Sequence, residues 1–475
     1  MVFSSPVFLF LFLPLVLLLV LTAGTLRARN TILTVASLFF YAWGETFHVW
    51  VMLVSILMNY LMGICLGSLD SPSTRKLAVI VAVLLNLGLL VWFKYANFIM
   101  DNVGILLPSL FSSMLLLDPV HLPIGISFFT FQSLSYVIDV YRGQIPTQWK
   151  LGKVALYISL FPQLIAGPIV RYTDVLSEID GRKIDLANFA SGVRRFIVGL
   201  GKKLLIADTI ARVADPIFGI PDAAMPVSVA WLGALAYGLQ IYFDFSGYSD
   251  MAIGLGRMFG FNFLENFNFP YSASSVREFW QRWHISLTTW FRDYLYIPLG
   301  GSRGGTFQTY RNLVFIFFIT GLWHGASWNF VIWGMCHGFF MVLERAAIGR
   351  SKFKLPKAVG VIYVLLVVNV AWVFFRAPDL EYALNFLRSM FAATDGPLEY
   401  VYPTYYLTTD VVLAFVIGTL ASFPLLRNSA HLYKDRKFFS GLIAYTTVPA
   451  YALILLLCAM HMANSTYSPF IYFRF

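Results

Sequence analysis

The chain has 475 residues, 59% of them hydrophobic and only 12% charged, with a mean hydropathy of +0.72. Soluble domains carry about 25% charged residues, so an ordinary soluble fold is excluded. The formal net charge of +10 is spread over short basic clusters between apolar runs, with no stripe or arginine-rich tail. It reads as a topology signal, and no nucleic-acid partner is expected.

Apolar runs of about 17 to 25 residues recur, enough to cross roughly 30 Å of hydrocarbon. Backbone polar groups in lipid must be satisfied internally, so the spans are helices. The fold class expected is an all-α polytopic membrane protein with one membrane domain over residues 1–475 and about 11 to 12 transmembrane helices. The three cysteines, Cys65, Cys336 and Cys458, are scattered without metal-like spacing. Neither a disulfide framework nor a cysteine-based zinc site is supported.

Residues 6–26 lack a preceding basic region and a clear cleavage motif, so they read as a retained first span. Further candidate spans follow at 31–43, 47–67, 77–98, 122–140, 154–170, 193–210, 227–243, 313–331, 358–376, 410–426 and 441–462. Leu160–Pro168, broken by proline and glycine, reads as a re-entrant piece beside a cavity. Arg27 and Arg29 place the first loop in the cytoplasm. So do Arg350, Lys352, Lys354 and Lys357 for one later loop, and Arg427, Lys434, Arg436 and Lys437 for another. Both termini are then extracytoplasmic.

His324 follows Arg311 by 13 residues, roughly 20 Å along a helix, which places it deep in the slab. A desolvated imidazole is kept neutral and can act as a general base; the alternative is a histidine satisfied by one helix–helix hydrogen bond. His284 sits in a helix that Ser275 and Glu278 open as a capping box. There it shares a face with Trp280, Leu287 and Phe291. It is either functional or an aromatic-packed bystander on an amphipathic helix at the interface.

His337, 13 residues beyond His324, points away from it on a continuous helix. A metal site of His284, His324 and His337 lacks both HxxxH spacing and a carboxylate, so no metal is expected. Asp244 and Asp250 stand beside Ser246 and Ser249 at the end of an apolar run, either orienting a catalytic group or holding helix ends. The glycine-rich turn Pro298–Gly305 carries Arg303, a candidate contact for an anionic donor.

The segments Arg277–Leu287 (RxFWxRWHxSL) and Leu322–Gly325 (LWHG) resemble the membrane-bound O-acyltransferase superfamily. Phe161–Arg171, Asp244–Asp250 and Trp290–Gly301 are similar to its bacterial branch that acetylates alginate, peptidoglycan and cellulose. The resemblance runs the length of the chain. It implies a multi-helix membrane fold around a central tunnel, with His324 at the superfamily's invariant histidine and His284 at the second active-site position. It further implies an inner-membrane O-acetyltransferase with no permanently bound cofactor. Acetyl-CoA or another thioester is the expected donor and a periplasmic acetyltransferase the expected partner; the acceptor expected is an extracytoplasmic polysaccharide, an alginate-like exopolysaccharide first, with peptidoglycan or cellulose as alternatives that the resemblance does not separate.

The aromatic C-terminus, Ser468–Phe475, resembles endings in this branch and in small partners of the related D-alanyl transfer system. On that likeness Tyr472 is a candidate acyl relay, the alternative being an interface anchor. Two rival readings are acylation of a lipid or protein, and a non-catalytic transporter or scaffold that moves the donor.

Overall fold

The computed structural model describes residues 1–106, 120–348, 356–392, 402–425, 437–464 and 470–471, and these are helical with no strand. They cluster into two compact units, one of residues 1–193 and 252–264, the other of residues 194–251 and 265–475.

The first unit opens with α1 (Leu13–Thr22), α2 (Leu26–Gly44), α3 (Val49–Ser68), α4 (Pro72–Leu90) and α5 (Ala96–Leu106). It continues with α6 (Ile126–Tyr141), α7 (Leu151–Ser159), the single turn α8 (Phe161–Leu164) and α9 (Tyr172–Gly181). Along α3, Ser55, Asn59, Gly63 and Gly67 recur every fourth residue and form one small, polar stripe. Asn59 and Asn86 exchange amide hydrogen bonds of 3.0 and 2.8 Å between α3 and α4. A methyl at Gly63 would collide with the Tyr136 ring of α6. Small residues and paired amides are how helices associate where lipid removes the hydrophobic drive. Val54, Leu57 and Leu61, on other faces of α3, are exposed. Apolar surface of that kind needs lipid against it.

The Leu160–Pro168 segment is broken, as expected of a re-entrant piece. It is also buried throughout, with Gln163 donating to the Tyr157 carbonyl at 2.6 Å and Ser37 Oγ accepting from Phe161 N at 3.1 Å.

Next come α10 (Leu186–Gly201), α11 (Asp208–Ile217) and the long α12 (Val227–Met258). The remainder of the second unit is α13 (Val276–Arg282), α14 (Ile285–Phe291), α15 (Thr306–His324), α16 (Trp328–Ile348), α17 (Lys357–Arg376), α18 (Leu380–Phe391), α19 (Thr409–Ala421) and α20 (Lys437–Asn464). The expected span over 313–331 is corrected: α15 ends at His324, Gly325 turns the chain in extended conformation, and α16 returns antiparallel. Glycines let the two backbones meet, since a Cβ at Gly321 would strike the Phe330 carbonyl and one at Gly334 the Phe317 carbonyl. The hairpin therefore returns α16 toward the end of α15 at which the Pro298–Gly305 turn lies.

Among the described residues, five helices are long and apolar enough to cross a membrane: Val49–Ser68, Pro72–Ile105, Trp328–Ala347, Lys357–Arg376 and Thr446–Asn464. The expected spans at 6–26 and 410–426 form apolar helices that are shorter, Phe8–Thr22 and Thr409–Ala421, whereas others carry buried polar residues. The longest, α12, keeps Gln240, Asp244, Ser246, Ser249 and Asp250 buried. This also corrects the placement of the two aspartates, which lie within a 32-residue helix and not at its end. The basic residues Arg350, Lys352, Lys354, Arg427, Lys434 and Arg436 lie outside the described residues, as does Tyr472.

Candidate active site

His284 is not on a continuous helix face. Ser275 Oγ caps α13 by accepting from Glu278 N at 3.0 Å, but the Glu278 carboxylate reaches back to Ser274 N and Oγ, both at 2.8 Å, one residue short of the expected box. After Arg282 the helix stops, and His284 takes the left-handed conformation, φ 43° and ψ 54°. Few non-glycine residues adopt that region, histidine among the more tolerant, and such a conformation persists where surroundings over-determine it. Here Trp283 stacks on Phe279 and packs against Trp372, with centroids at 5.6 and 5.0 Å. The irregular segment at 266–268 also ties the break through Asn268 N to Arg282 O (2.9 Å) and Ile285 N to Asn266 O (3.0 Å).

The break turns the imidazole inward, where it is fully buried. Asn266 Oδ1 accepts from Ser286 N at 3.2 Å and Ser286 Oγ at 2.8 Å, and lies 3.1 Å from His284 Nδ1. The Asn266 amide nitrogen donates to Ser249 Oγ on α12 at 3.2 Å. A backbone N–H can only donate, so the atom facing His284 is an acceptor oxygen and Nδ1 carries the proton. The Nε2 lone pair is buried without a hydrogen-bond partner among the described residues.

His324 closes α15 at 2% exposure, its ring set edge-on to Trp323, Trp333 and Phe375 at 4.9, 4.8 and 5.3 Å. Trp323 is the meeting point, because its indole also lies 6.0 Å from the His284 ring. The two imidazoles are therefore no farther apart than the sum of those two centroid distances. His337 sits on α16, not on a continuation of the His324 helix as expected. It packs against Trp280 and Trp333 at 5.2 and 5.1 Å.

A cavity of about 1250 Å³ opens beside α13 to α16. Its walls carry Arg277, Arg292 and Arg345, and it extends along Trp280 and Phe317 to Thr320, one helical turn before His324. Glu344 is committed elsewhere, accepting from Val276 N at 2.5 Å and Arg277 N at 3.1 Å at the start of α13. Arg303 is exposed and does not line this cavity, although Ser302 and Gly305 beside it do. Sequence reasoning gave no role to the three arginines, although Arg277 and Arg292 lie in the quoted segments Arg277–Leu287 and Trp290–Gly301, and it missed Asn266, which lies in no motif.

Asp244 and Asp250 bear on the site indirectly. Asp250 pairs with Arg195 and Lys202, both at 2.6 Å. Asp244 pairs with Lys203 at 2.6 Å and accepts from the backbone N–H of Ile471 at 2.9 Å. Phe470 is buried against Tyr248 and Phe245, with centroids at 4.8 and 6.1 Å, and the same Phe245 ring packs on His284 at 4.7 Å. The C-terminal tail is thus anchored one aromatic ring away from the buried imidazole.

A model of the membrane-bound O-acyltransferase family matches residues 35–382. The chain belongs to that family. It is a multi-pass membrane acyltransferase, all-α as expected. Over their full lengths it is 44% identical to the probable alginate O-acetylase AlgI of Pseudomonas putida and 41% identical to that of Azotobacter vinelandii. It is also 34% identical to a peptidoglycan O-acetyltransferase of Helicobacter pylori, spanning all of this chain and 98% of that one.

Proposed function

We propose that this O-acyltransferase takes an acetyl group from a cytoplasmic thioester, acetyl-CoA, for O-acetylation of an extracytoplasmic polysaccharide of the alginate type. Peptidoglycan and cellulose are the neighbouring acceptors. The observation that carries the reading is the approach of His284 and His324 to one indole, with an arginine-lined cavity whose wall includes Ile285, next to His284, and Thr320, one turn before His324. Arginines suit the phosphates of an anionic donor, and the apolar inner walls suit a thioester kept from water.

A sugar or tyrosyl hydroxyl is a poor nucleophile near pH 7 without a positioned base. His324 takes its proton; the oxygen bonds to the thioester carbonyl carbon, the carbon–sulfur bond breaks, and the thiolate leaves to be protonated as free thiol. His284, with its proton on Nδ1, offers only a lone pair at Nε2. It therefore orients a sugar acceptor by receiving a second hydroxyl, not the one His324 deprotonates, and in this tautomer it cannot donate from Nε2 to the thioester carbonyl.

The protein resides in the inner membrane with both termini outside. Tyr472 follows the anchored Phe470–Ile471 pair and relays the acetyl group to a periplasmic acetyltransferase. We read residues 1–475 as one functional membrane domain.

Purified protein in liposomes with radiolabelled acetyl-CoA tests this. The wild type labels protein or acceptor covalently, His324→Ala inserts normally but transfers no label, and Tyr472→Phe loses polysaccharide acetylation. Transfer retained by His324→Ala removes its role as base. Full acetylation by Tyr472→Phe removes the relay alone.

A further inference from the structure

Outside the histidine-bearing site, the first unit holds a second cluster. Glu45 ends α2, His48 precedes α3, and His121 reaches them from the segment before α6. The three ligand atoms lie within 4.8 Å of one another. Glu45 Oε2 is 3.2 Å from His48 Nδ1 and 3.3 Å from His121 Nε2, and the two imidazoles stack at 4.6 Å.

From these positions we propose that Glu45, His48 and His121 bind one zinc ion. Zinc bonds to imidazole nitrogen and carboxylate oxygen are about 2.0 to 2.2 Å, and ligands at the corners of a tetrahedron of that size stand roughly 3.3 to 3.5 Å apart. The carboxylate-to-imidazole separations match that edge. Coordination would need the two ring nitrogens, which lie within 4.8 Å of each other, to settle on the same edge and the protons now shared between carboxylate and rings to be lost. Glu45 is 4% exposed, and its other oxygen, Oε1, accepts from Ile124 N at 2.9 Å. That contact holds the carboxylate in place, as supporting hydrogen bonds commonly do around a metal, with both oxygens facing His121 Nε2, Oε2 at 3.3 and Oε1 at 3.4 Å. His121, 62% exposed, leaves a fourth position open to water.

The cluster joins the α2–α3 turn to the approach to α6, contacts 76 residues apart in sequence. Its role is a clasp at one rim of this unit. Exposed Trp43, Phe47 and Trp50 surround the turn, as aromatic residues do at a membrane interface.

The test uses full-length protein purified without a polyhistidine tag, treated with chelator and titrated with zinc chloride. One zinc per chain is expected, with a raised Tm and tightening lost at least 100-fold in His121→Ala. That histidine is exposed enough to be removed without unfolding the chain. Cobalt(II) in place of zinc should show the intense visible bands of tetrahedral coordination. Glu45→Gln is a poorer probe because it also disturbs the Ile124 contact. No stoichiometric zinc, or equal zinc retained by His48→Ala and His121→Ala, overturns the proposal.

Discussion

Asn266 Oδ1 receives a backbone N–H and a hydroxyl from Ser286 before it meets His284, so its orientation is settled independently of the imidazole. One amide thereby decides which ring nitrogen of His284 is free. Asn266→Ala removes the acceptor for Nδ1–H and leaves Ser286 N unsatisfied in a buried place, a loss worth about 1 to 3 kcal/mol for each orphaned group. The imidazole can then take the other tautomer. The expected outcome is a fall in kcat of about 100-fold with the donor KM nearly unchanged. Asn266→Asp, which keeps an oxygen in place, should retain more activity than Asn266→Ala. Steady-state acetyl transfer separates the two, and equal loss in kcat and in donor affinity would point to general disruption instead.

The α15–α16 hairpin sets where His324 ends up, and glycine makes the hairpin possible. At Gly334 an added side chain would press on the Phe317 carbonyl and stand 2.9 Å from Gly321 N. Overpacking of a closed helix pair costs typically about 1 to 3 kcal/mol. Gly334→Val should therefore lower the Tm in detergent by several degrees. It should also reduce kcat, because α15 can yield only by moving His324, three residues past Gly321. An unchanged Tm would show that the helices part without cost. The hairpin was only partly legible beforehand. The run from Arg311 to His324 is an unbroken helix as its spacing required, whereas the apolar pattern continues past Gly325 and conceals the turn.

Beyond single helices, the buried charges hold distant parts of the second unit together. Lys203 is 3% exposed between Asp208 and Asp244, at 2.8 and 2.6 Å, and Asp244 in turn holds the tail through Ile471 N. Removing one partner of a buried pair typically costs about 3 to 5 kcal/mol, because the remaining charge is left without compensation. Lys203→Ala should accordingly lower the Tm and make the C-terminal residues sensitive to protease. Both readouts are available on protein in detergent. A variant with the wild-type Tm and an intact tail would show that the aromatic contacts of Phe470 suffice to hold it.

Membrane residence, helical architecture, the family and the burial of His324 followed from the amino-acid order alone. Each depends on local composition, on periodicity, or on motifs contiguous in the chain. The surroundings of His284 did not follow. Its left-handed turn exists because Trp283 is held by Trp372, a ring supplied by a different helix, and its free nitrogen is chosen by Asn266, which belongs to no motif. The convergence of Arg277, Arg292 and Arg345 on one cavity and the Glu45–His48–His121 cluster were equally hidden. Side chains dozens of residues apart converge only when the helices between them pack, and hydropathy averages over the very polar residues that packing buries.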